Sequence, residues 1–259
     1  MIFLLSPAKT LDYETPAHVP AQGDPGFVTQ SAELIQQLKK ISTAELSELM
    51  DLSPALAELN VQRYRDWSRQ FTESNSKPAM LAFNGDVYEG LDAASLSAHD
   101  LAWAQQHVAI LSGLYGLLRP LDRMQPYRLE MGTTLPNPRG RNLYEFWGST
   151  LAEHLNGLLS QDPSPLIVNL ASQEYFKAVS RKALKVPVLE CVFEDWKGSA
   201  YKVISFYAKR ARGLMVRYAV THRVRSASAL QAFDSEGYAF APGASDDKRW
   251  VFQRRLSDI

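Results

Sequence analysis

The chain has 259 residues and 46% of them are hydrophobic, so it can bury a sizeable core, and no stretch has the composition of a linker. Its 28 Lys and Arg residues balance 28 Asp and Glu residues, which excludes a protein of large net charge. No apolar run approaches the ~20 residues of a membrane span, and the apolar start Met1–Leu5 is too short for a signal peptide. We therefore expect a single domain over residues 1–259, in the cytoplasm and without a membrane partner.

Short apolar runs that predict strands alternate along the chain with capped segments that predict helices. In chain order, the expected elements are strand Ile2–Leu5, an ordered surface loop over 13–26, helices beginning after Ser42 and Ser53, strand Met80–Phe83, helices beginning after Ser97 and Asn142, and strands Leu166–Leu170, Val188–Phe193, Lys202–Phe206 and Arg249–Gln253. The helix starts depend on N-cap residues, some with a capping-box acid three residues later and one followed by proline. This pattern predicts an α/β fold (mixed α+β), with a mostly central mixed sheet flanked by helices.

Three of the predicted strands lead into polar, turn-forming clusters at their carboxyl ends. These clusters are Ser6–Thr10, Asn84–Tyr88 and Asn169–Glu174. In open sheets with parallel strands, ligands bind in the crevice beyond the carboxyl ends of the strands, so we expect the clusters to converge on one cleft. The alternative is that Ser, Asn, Asp and Gly lie there because turns and helix caps need them.

Lys9 is the strongest candidate for a binding residue in the first cluster. It lies four residues past a buried strand, in a turn, where its ammonium group can bind phosphate or carboxylate as a point charge. We expect the carboxylates of Asp86 and Glu130 near it, and these three residues would be the catalytic groups if the protein is an enzyme. Ser172 is expected to be an N-cap rather than a nucleophile, because no G-x-S-x-G elbow surrounds it.

The sequence does not favour metal, cofactor or redox chemistry. Its five histidines have no metal-ligand spacing, and it has neither a Walker A motif nor G-x-G-x-x-G, so we expect no metal and no cofactor. The single cysteine, Cys191, excludes an internal disulfide and is expected in the core, with a redox role as the alternative.

A second distinctive block is the glycine-containing segment Leu111–Pro120. Its L-x-G-L core resembles the hairpin of helix-hairpin-helix DNA-binding elements, in which backbone N–H groups of a short turn reach a phosphate. Gly113, Tyr115 and Gly116 would form this turn, although Tyr115 stands where the second hairpin glycine is expected and Pro120 interrupts the second helix. The alternative is a glycine-rich turn that packs against the sheet.

The charges are distributed unevenly along the chain. Residues 1–107 hold 7 Lys and Arg against 14 Asp and Glu, whereas residues 108–259 hold 21 against 14. The stretch 197–232 contains no acid at all but eight basic residues: Lys197, Lys202, Lys209, Arg210, Arg212, Arg217, Arg223 and Arg225. Such a stretch usually has an anionic partner, either nucleic acid or a phosphorylated metabolite, and the alternative is a solvated surface helix.

Helical projection of this stretch places Lys209, Arg210 and Arg217 on one face, with Arg212 at its margin. Cations near a helix N-terminus oppose the helix dipole, which favours an anionic ligand. Gly213 falls on the cationic face, where it would let the backbone of a partner approach closely.

Several ordered blocks together resemble a known family. They are Ser6–Tyr13, Phe83–Tyr88, Leu111–Gly116, Arg119–Asp122, Gln125–Gly132 and Ser205–Gly213, and they look like the signature blocks of the YaaA family of peroxide-stress proteins. The resemblance covers essentially the whole chain. It implies a cytoplasmic bacterial protein that protects cells during hydrogen peroxide stress by limiting unincorporated iron and the DNA damage that iron promotes.

The resemblance also implies DNA binding through a basic cleft and a helix-hairpin-helix element on an unusual fold. We assign that element to Leu111–Pro120. We assign the cleft to seven basic residues of this chain: Lys9, Arg119, Arg128, Lys177, Lys209, Arg210 and Arg212.

The leading hypothesis is a protein that binds double-stranded or structured DNA mainly through phosphates and is not an enzyme. The competing hypothesis is an enzyme that acts on a small anionic substrate in the cleft formed by Lys9, Asn84, Asp86, Arg128, Ser172 and Lys209. A deep pocket with Asp86 buried beside Lys9 would favour the enzyme, and a broad groove would favour DNA. A third hypothesis is an interaction protein with an indirect link to iron through a partner.

Overall fold

Twelve strands are present in the part of the chain that the computed structural model describes, residues 1–255. They are β1 (Ile2–Leu5), β2 (Thr10–Leu11), β3 (Lys77–Pro78), β4 (Phe83–Asn84), β5 (Val108–Ser112), β6 (Gly116–Leu118), β7 (Arg123–Met124), β8 (Ile167–Asn169), β9 (Val188–Lys197), β10 (Ala200–Lys202), β11 (Ala239–Phe240) and β12 (Arg249–Arg254). The strands β1 and β5 are buried at every position, which is typical of strands covered on both faces.

Ten α-helices cover the sheet within the same residues. They are α1 (Val28–Leu38), α2 (Thr43–Met50), α3 (Pro54–Asp66), α4 (Ala79–Ala82), α5 (Asp86–Leu91), α6 (Ala98–His107), α7 (Leu143–Trp147), α8 (Thr150–Leu158), α9 (Gln173–Phe176) and α10 (Ser205–Thr221). The predicted N-caps at Ser42, Ser53, Ser97 and Asn142 are confirmed, since each side chain accepts a hydrogen bond from a backbone N–H of the first turn.

The main sheet has the strand order β11-β12-β9-β8-β1-β5-β6, and β10 pairs with β9. The five strands β12, β9, β8, β1 and β5 are parallel to one another, and the other three pair antiparallel. The chain moves from β1 to β5 on one side and later to β8 on the other, so the strand order reverses at β1. The predicted mixed sheet is therefore confirmed, and its carboxyl edge has a topological switch point between β1 and β8.

The helices α5 and α10 cross with their backbones in contact. A Cβ atom added to Gly213 would lie 1.8 Å from the carbonyl oxygen of Val87, and one added to Gly90 would lie 2.2 Å from the carbonyl oxygen of Arg210. The close approach predicted at Gly213 therefore occurs, but the approaching backbone is helix α5 of the same chain. This crossing fixes the basic helix α10 against α5, which begins at Asp86.

Two predicted strands are wrong in type or extent. Met80–Phe83 is mostly helix α4, because its short apolar run fits a buried helical turn as well as a strand. Lys202–Phe206 is strand only at Lys202, because helix α10 already begins at Ser205.

The predicted helix-hairpin-helix at Leu111–Pro120 is also wrong, because the segment contains the antiparallel strands β5 and β6 joined by a turn. Gly113 and Gly116 serve packing there. A Cβ on Gly113 would lie 2.3 Å from the Leu129 carbonyl oxygen, and Gly116, at φ +68°, lies against the Trp147 ring. The alternative of a glycine turn packed in the fold is the one observed.

Candidate functional site

A cleft of about 420 Å³ lies at the carboxyl ends of β1 and β8, where the strand order reverses. All three predicted polar clusters contribute to it. Its lining includes Ser6, Lys9, Thr10, Asn84, Asp86, Glu130, Ser172, Glu174, Tyr175, Lys209 and Arg212. The sequence-based expectation that these clusters converge is thus correct, although the second cluster follows the two-residue strand β4 and not a strand of the main sheet.

Local pairing explains how the clusters reach one another. Thr10 of β2 is paired with Asn84 of β4, which brings the second cluster beside the first. On the other side, the backbone N–H of Ser172 donates to the Ser6 hydroxyl at 2.9 Å. The Ser172 hydroxyl accepts from the N–H of Tyr175 and so caps α9, as predicted.

Two of the three acidic side chains that line the cleft are paired with cations, and the third, Glu174, accepts from the backbone N–H of Gly132. Glu130 lies 2.9 Å from the Lys9 ammonium and 3.1 Å from the Arg128 guanidinium, and Asp86 lies 3.7 Å from the Lys209 ammonium. The expected set of Lys9, Asp86 and Glu130 is therefore gathered in one cleft. Asp86, however, pairs with Lys209 from α10 and not with Lys9.

Arg212 differs from the other cations of the cleft because it makes no ion pair or hydrogen bond with any side chain of residues 1–255. Burial lowers the pKa of its guanidinium, and the charge of Glu190 offsets only part of this effect. A half-buried guanidinium that faces the cleft without a partner side chain is available to an anionic ligand. Arg212 also lines a neighbouring cavity of about 310 Å³, so it can be reached from two sides.

Three other predicted DNA-binding cations lie outside the cleft lining and have partners of their own. Arg210 is engaged by Glu236 at 2.6 Å, and this hydrogen bonding raises the pKa of its guanidinium. Arg217 donates to the carbonyls of Leu91 and Asp92 at 3.0 Å, and so caps the carboxyl end of α5. Lys177 is exposed and lies 4.6 Å from the centre of the Tyr144 ring.

The remaining predicted DNA-binding residues lie inside the fold. Gly113, Tyr115 and Gly116 are buried, and the Tyr115 hydroxyl accepts from the Trp67 indole at 2.9 Å. The Nε of Arg119 donates to the Gln105 carbonyl at 2.9 Å, and burial lowers the pKa of this guanidinium. These four residues stabilise the hairpin and its surroundings, and none of them lines the cleft.

A pair of helices joined by a short connection does exist elsewhere. Helices α2 and α3 are linked by Asp51–Ser53, and Asp51 has the left-handed conformation at φ +50°. The N-caps of both helices, Ser42 and Ser53, are predicted from the sequence, whereas their connection into one element is not. The signal was the three-residue spacing between the end of one helix and the N-cap of the next.

Several other observations bear on the chemistry. Within residues 1–255, no group of three or more His, Cys, Asp or Glu side chains is placed to hold a metal ion. The same residues include no helix that is long and apolar enough to cross a membrane.

Cys191 is buried, as predicted, and burial raises the pKa of its thiol far above the usual range. A larger cavity of about 510 Å³ lies under the loop around Pro16 and shares no residue with the cleft.

Comparison with known proteins identifies the family. A family model described as peroxide stress protein YaaA matches residues 1–244. The chain is 64% identical to a UPF0246 protein of Bordetella petrii, over 98% of this chain and 100% of that protein. It is 61% identical to one of Ralstonia nicotianae, over 99% and 100% of the two chains. One of Leptothrix cholodnii is 60% identical over the full length of both. The chain therefore belongs to the YaaA family of peroxide stress proteins, and this membership supports a role in peroxide stress.

Proposed function

We propose that this protein defends bacterial DNA during peroxide stress by binding it in the cytoplasm, with a phosphate group held at Arg212. The observation that carries the proposal is the guanidinium of Arg212, which faces the cleft without an ion pair. A phosphate oxygen would supply the charge-assisted hydrogen bonds that this group lacks. Each such bond stabilises a complex by roughly 1.5–3 kcal/mol.

The rim of the cleft supports the same function. The side chains of Lys9 and Lys209 are 64% and 52% exposed, so both can leave their carboxylates and reach successive phosphates. Exposed ion pairs contribute only about 0–1 kcal/mol, so exchanging a carboxylate for a phosphate costs little. The cleft itself is too small for a duplex about 20 Å wide, since its volume is about 420 Å³. The DNA would therefore lie across the rim and place one phosphate or nucleotide inside.

The link to iron would follow from the displacement of cations by the bound protein. DNA carries a condensed atmosphere of counterions, and a protein that neutralises phosphates releases them. Fe²⁺ held at phosphates would be released in the same way. Its reaction with hydrogen peroxide, which yields Fe³⁺, hydroxide and a hydroxyl radical, would then occur away from the DNA. We propose that DNA damage is limited by this displacement.

Binding to labelled duplex and junction DNA, measured by fluorescence anisotropy, tests the proposal. Arg212→Gln should weaken binding by roughly 10- to 100-fold, which corresponds to the loss of one charged hydrogen-bonding group. Arg225→Gln is the matched control: Arg225 belongs to the same basic stretch, but its charge acts on His107, which lies beside Met1 at the opposite edge of the sheet. Wild-type protein that does not bind DNA at low salt, or equal losses in both variants, would refute the proposal.

The protection from iron has its own test. Plasmid nicking by Fe²⁺ and hydrogen peroxide should fall when the wild-type protein is added and should fall much less with Arg212→Gln. Equal protection by both proteins would show that any protective effect is independent of the cleft.

A second candidate, an enzyme acting on a small anionic substrate, is favoured by one observation. The cleft volume of about 420 Å³ is that of a typical small-molecule site, and two pairs of acid and base line it: Lys9 with Glu130, and Lys209 with Asp86. Asp86 is not buried beside Lys9, however, and its side chain is 27% exposed. Turnover of nucleotides or phosphorylated metabolites that is lost in Asp86→Asn would support the enzyme.

A further inference from the structure

Val203 and Phe206 are the most exposed of the large hydrophobic side chains in residues 1–255, at 54% and 53%. They flank the N-terminus of α10, which begins at Ser205. Single exposed apolar residues are common on protein surfaces. An exposed aromatic ring next to a cleft is less common and indicates a contact with a ligand or partner. These two residues, termed the apolar rim, lie at the end of α10 that reaches the cleft.

The position of the apolar rim relative to the cleft follows from helix geometry. Phe206 precedes Lys209 by three residues, so the two side chains are neighbours on one face of α10. Lys209 lines the cleft. Val203 and Arg212 together line the adjoining cavity of about 310 Å³. The apolar rim therefore lies beside both cations that α10 contributes to the cleft.

The surroundings of the apolar rim are basic and aromatic. The β9–β10 hairpin immediately before it carries Lys197 and Lys202, and its Tyr201 and Trp196 rings pack edge to face with centres 5.1 Å apart. The guanidinium of Arg255 lies 4.8 Å from the Trp196 ring. The stretch 197–232 adds no acid to this surface, and the acids that other segments place near it are Glu190, in the adjoining cavity, and Asp86, 3.7 Å from the Lys209 ammonium. An anionic ligand with a flat apolar part matches this combination of charge and apolar surface.

We propose that Phe206, supported by Val203, stacks on an unpaired nucleobase while Lys209 and Arg212 hold the adjacent phosphates. This inference rests on the proposed DNA binding and identifies unpaired nucleotides, in a single strand or a distorted duplex, as the part of the DNA that the cleft takes. Aromatic side chains in positively charged grooves bind single-stranded nucleic acid in this way. A paired base in an intact duplex cannot present its face to Phe206.

A nucleic acid accounts for this surface better than a second protein copy does. A stable protein interface buries about 1,200–2,000 Å², far more than two exposed side chains can supply. The cations Lys202, Lys209 and Arg212 also lie beside the apolar rim, and they would face their own copies across a symmetric interface.

The experiment compares wild type with Phe206→Ala on two matched oligonucleotides, one fully paired and one with a short unpaired bubble that contains 2-aminopurine. Loss of one stacked base corresponds to roughly 1–3 kcal/mol, so Phe206→Ala should weaken binding to the bubble by about 5- to 150-fold. Duplex affinity should change less than about twofold in this variant. Wild type should quench the 2-aminopurine fluorescence, Phe206→Trp should retain that quenching, and Phe206→Ala should lose it.

Leu59→Ala is the control, since Leu59 is also exposed, at 45%, but lies on α3. Equal weakening of duplex and bubble by Phe206→Ala, or no effect on either, overturns the stacking role while leaving DNA binding in place. A wild-type dimer that becomes monomeric with Phe206→Ala, measured by light scattering, overturns it in favour of a second copy. No binding of either oligonucleotide by wild type overturns both the stacking role and the proposed function.

Discussion

The contact between α5 and α10 makes a sharp prediction for Gly213→Ala. The new Cβ would lie 1.8 Å from the Val87 carbonyl oxygen, so the helices must separate by at least 1.2 Å to reach the 3.0 Å that real contacts show. Alanine favours a helix over glycine by about 1 kcal/mol, but overpacking typically costs about 1–3 kcal/mol and occasionally more. Because the Cβ meets the backbone of a packed helix, which cannot rotate aside as a side chain can, we expect a cost above the usual range and a net loss of about 3 kcal/mol in the free energy of unfolding.

Urea denaturation followed by tryptophan fluorescence measures this loss, and the melting temperature should fall by roughly 6–12 °C. Gly157→Ala is the control, because a Cβ on Gly157 in α8 meets nothing within 4 Å and should leave stability equal or slightly higher. If Gly213→Ala proves as stable as wild type, the two backbones are not in contact and the described crossing is wrong.

Three further predictions concern single side chains. Burial raises the pKa of the Asp122 carboxyl to about 6, above its ordinary 3.8. The folded state therefore gains stability from the protonated carboxyl below about pH 4 and loses that stability as the pH rises to 6. Asp122→Asn should remove this fall in melting temperature between pH 4 and 6, and an unchanged pH profile would contradict the assignment. Cys191, buried and with a raised thiol pKa, should resist iodoacetamide in the native protein and react only after unfolding, whereas rapid native labelling would contradict its burial. Glu236→Gln should release Arg210 and raise DNA affinity by up to about fivefold at low salt, and unchanged or weaker binding would mean that Arg210 does not reach the DNA.

The parts of the fold that depend on local sequence were predictable. The fully buried strands β1 and β8 and the half-buried strands β9 and β12 coincide with runs of apolar and β-branched residues, and N-caps such as Ser42 depend only on the next turn of the chain. Met80–Phe83 was not predictable in the same way, because four apolar residues fit a buried helix or strand equally well. The glycine turn after Leu111 fits either a β-hairpin or a helix-hairpin-helix, because the turns of both motifs use glycine.

For the candidate site, the sequence predicts which residues lie together in the cleft, but not the ion pairs that they form. Polar residues after strand ends correctly located Lys9, Asn84 and Ser172 in one cleft, because the carboxyl edge of a parallel sheet is a general binding position. The partners of the cations were not predictable. Arg210 is neutralised by Glu236, which is 26 residues away in the chain, and Arg217 caps a helix more than 100 residues earlier.

Such long-range pairs decide which cations remain available to a ligand, and they depend on the complete fold. In particular, helical projection assigned Arg212 to the margin of the cationic face of α10. The family resemblance assigned it to the cleft, and the structure places it in the cleft lining, where it has no ion pair within residues 1–255.

The salt dependence of DNA binding by wild type and Arg212→Gln tests the central claim most directly. Each phosphate contact contributes about 0.7–0.9 to the slope of log K against log salt concentration. We predict that Arg212→Gln reduces this slope by about one contact, while Arg225→Gln leaves it unchanged. Identical slopes for wild type and Arg212→Gln, or a wild-type affinity that is indifferent to salt, would contradict a phosphate site at Arg212.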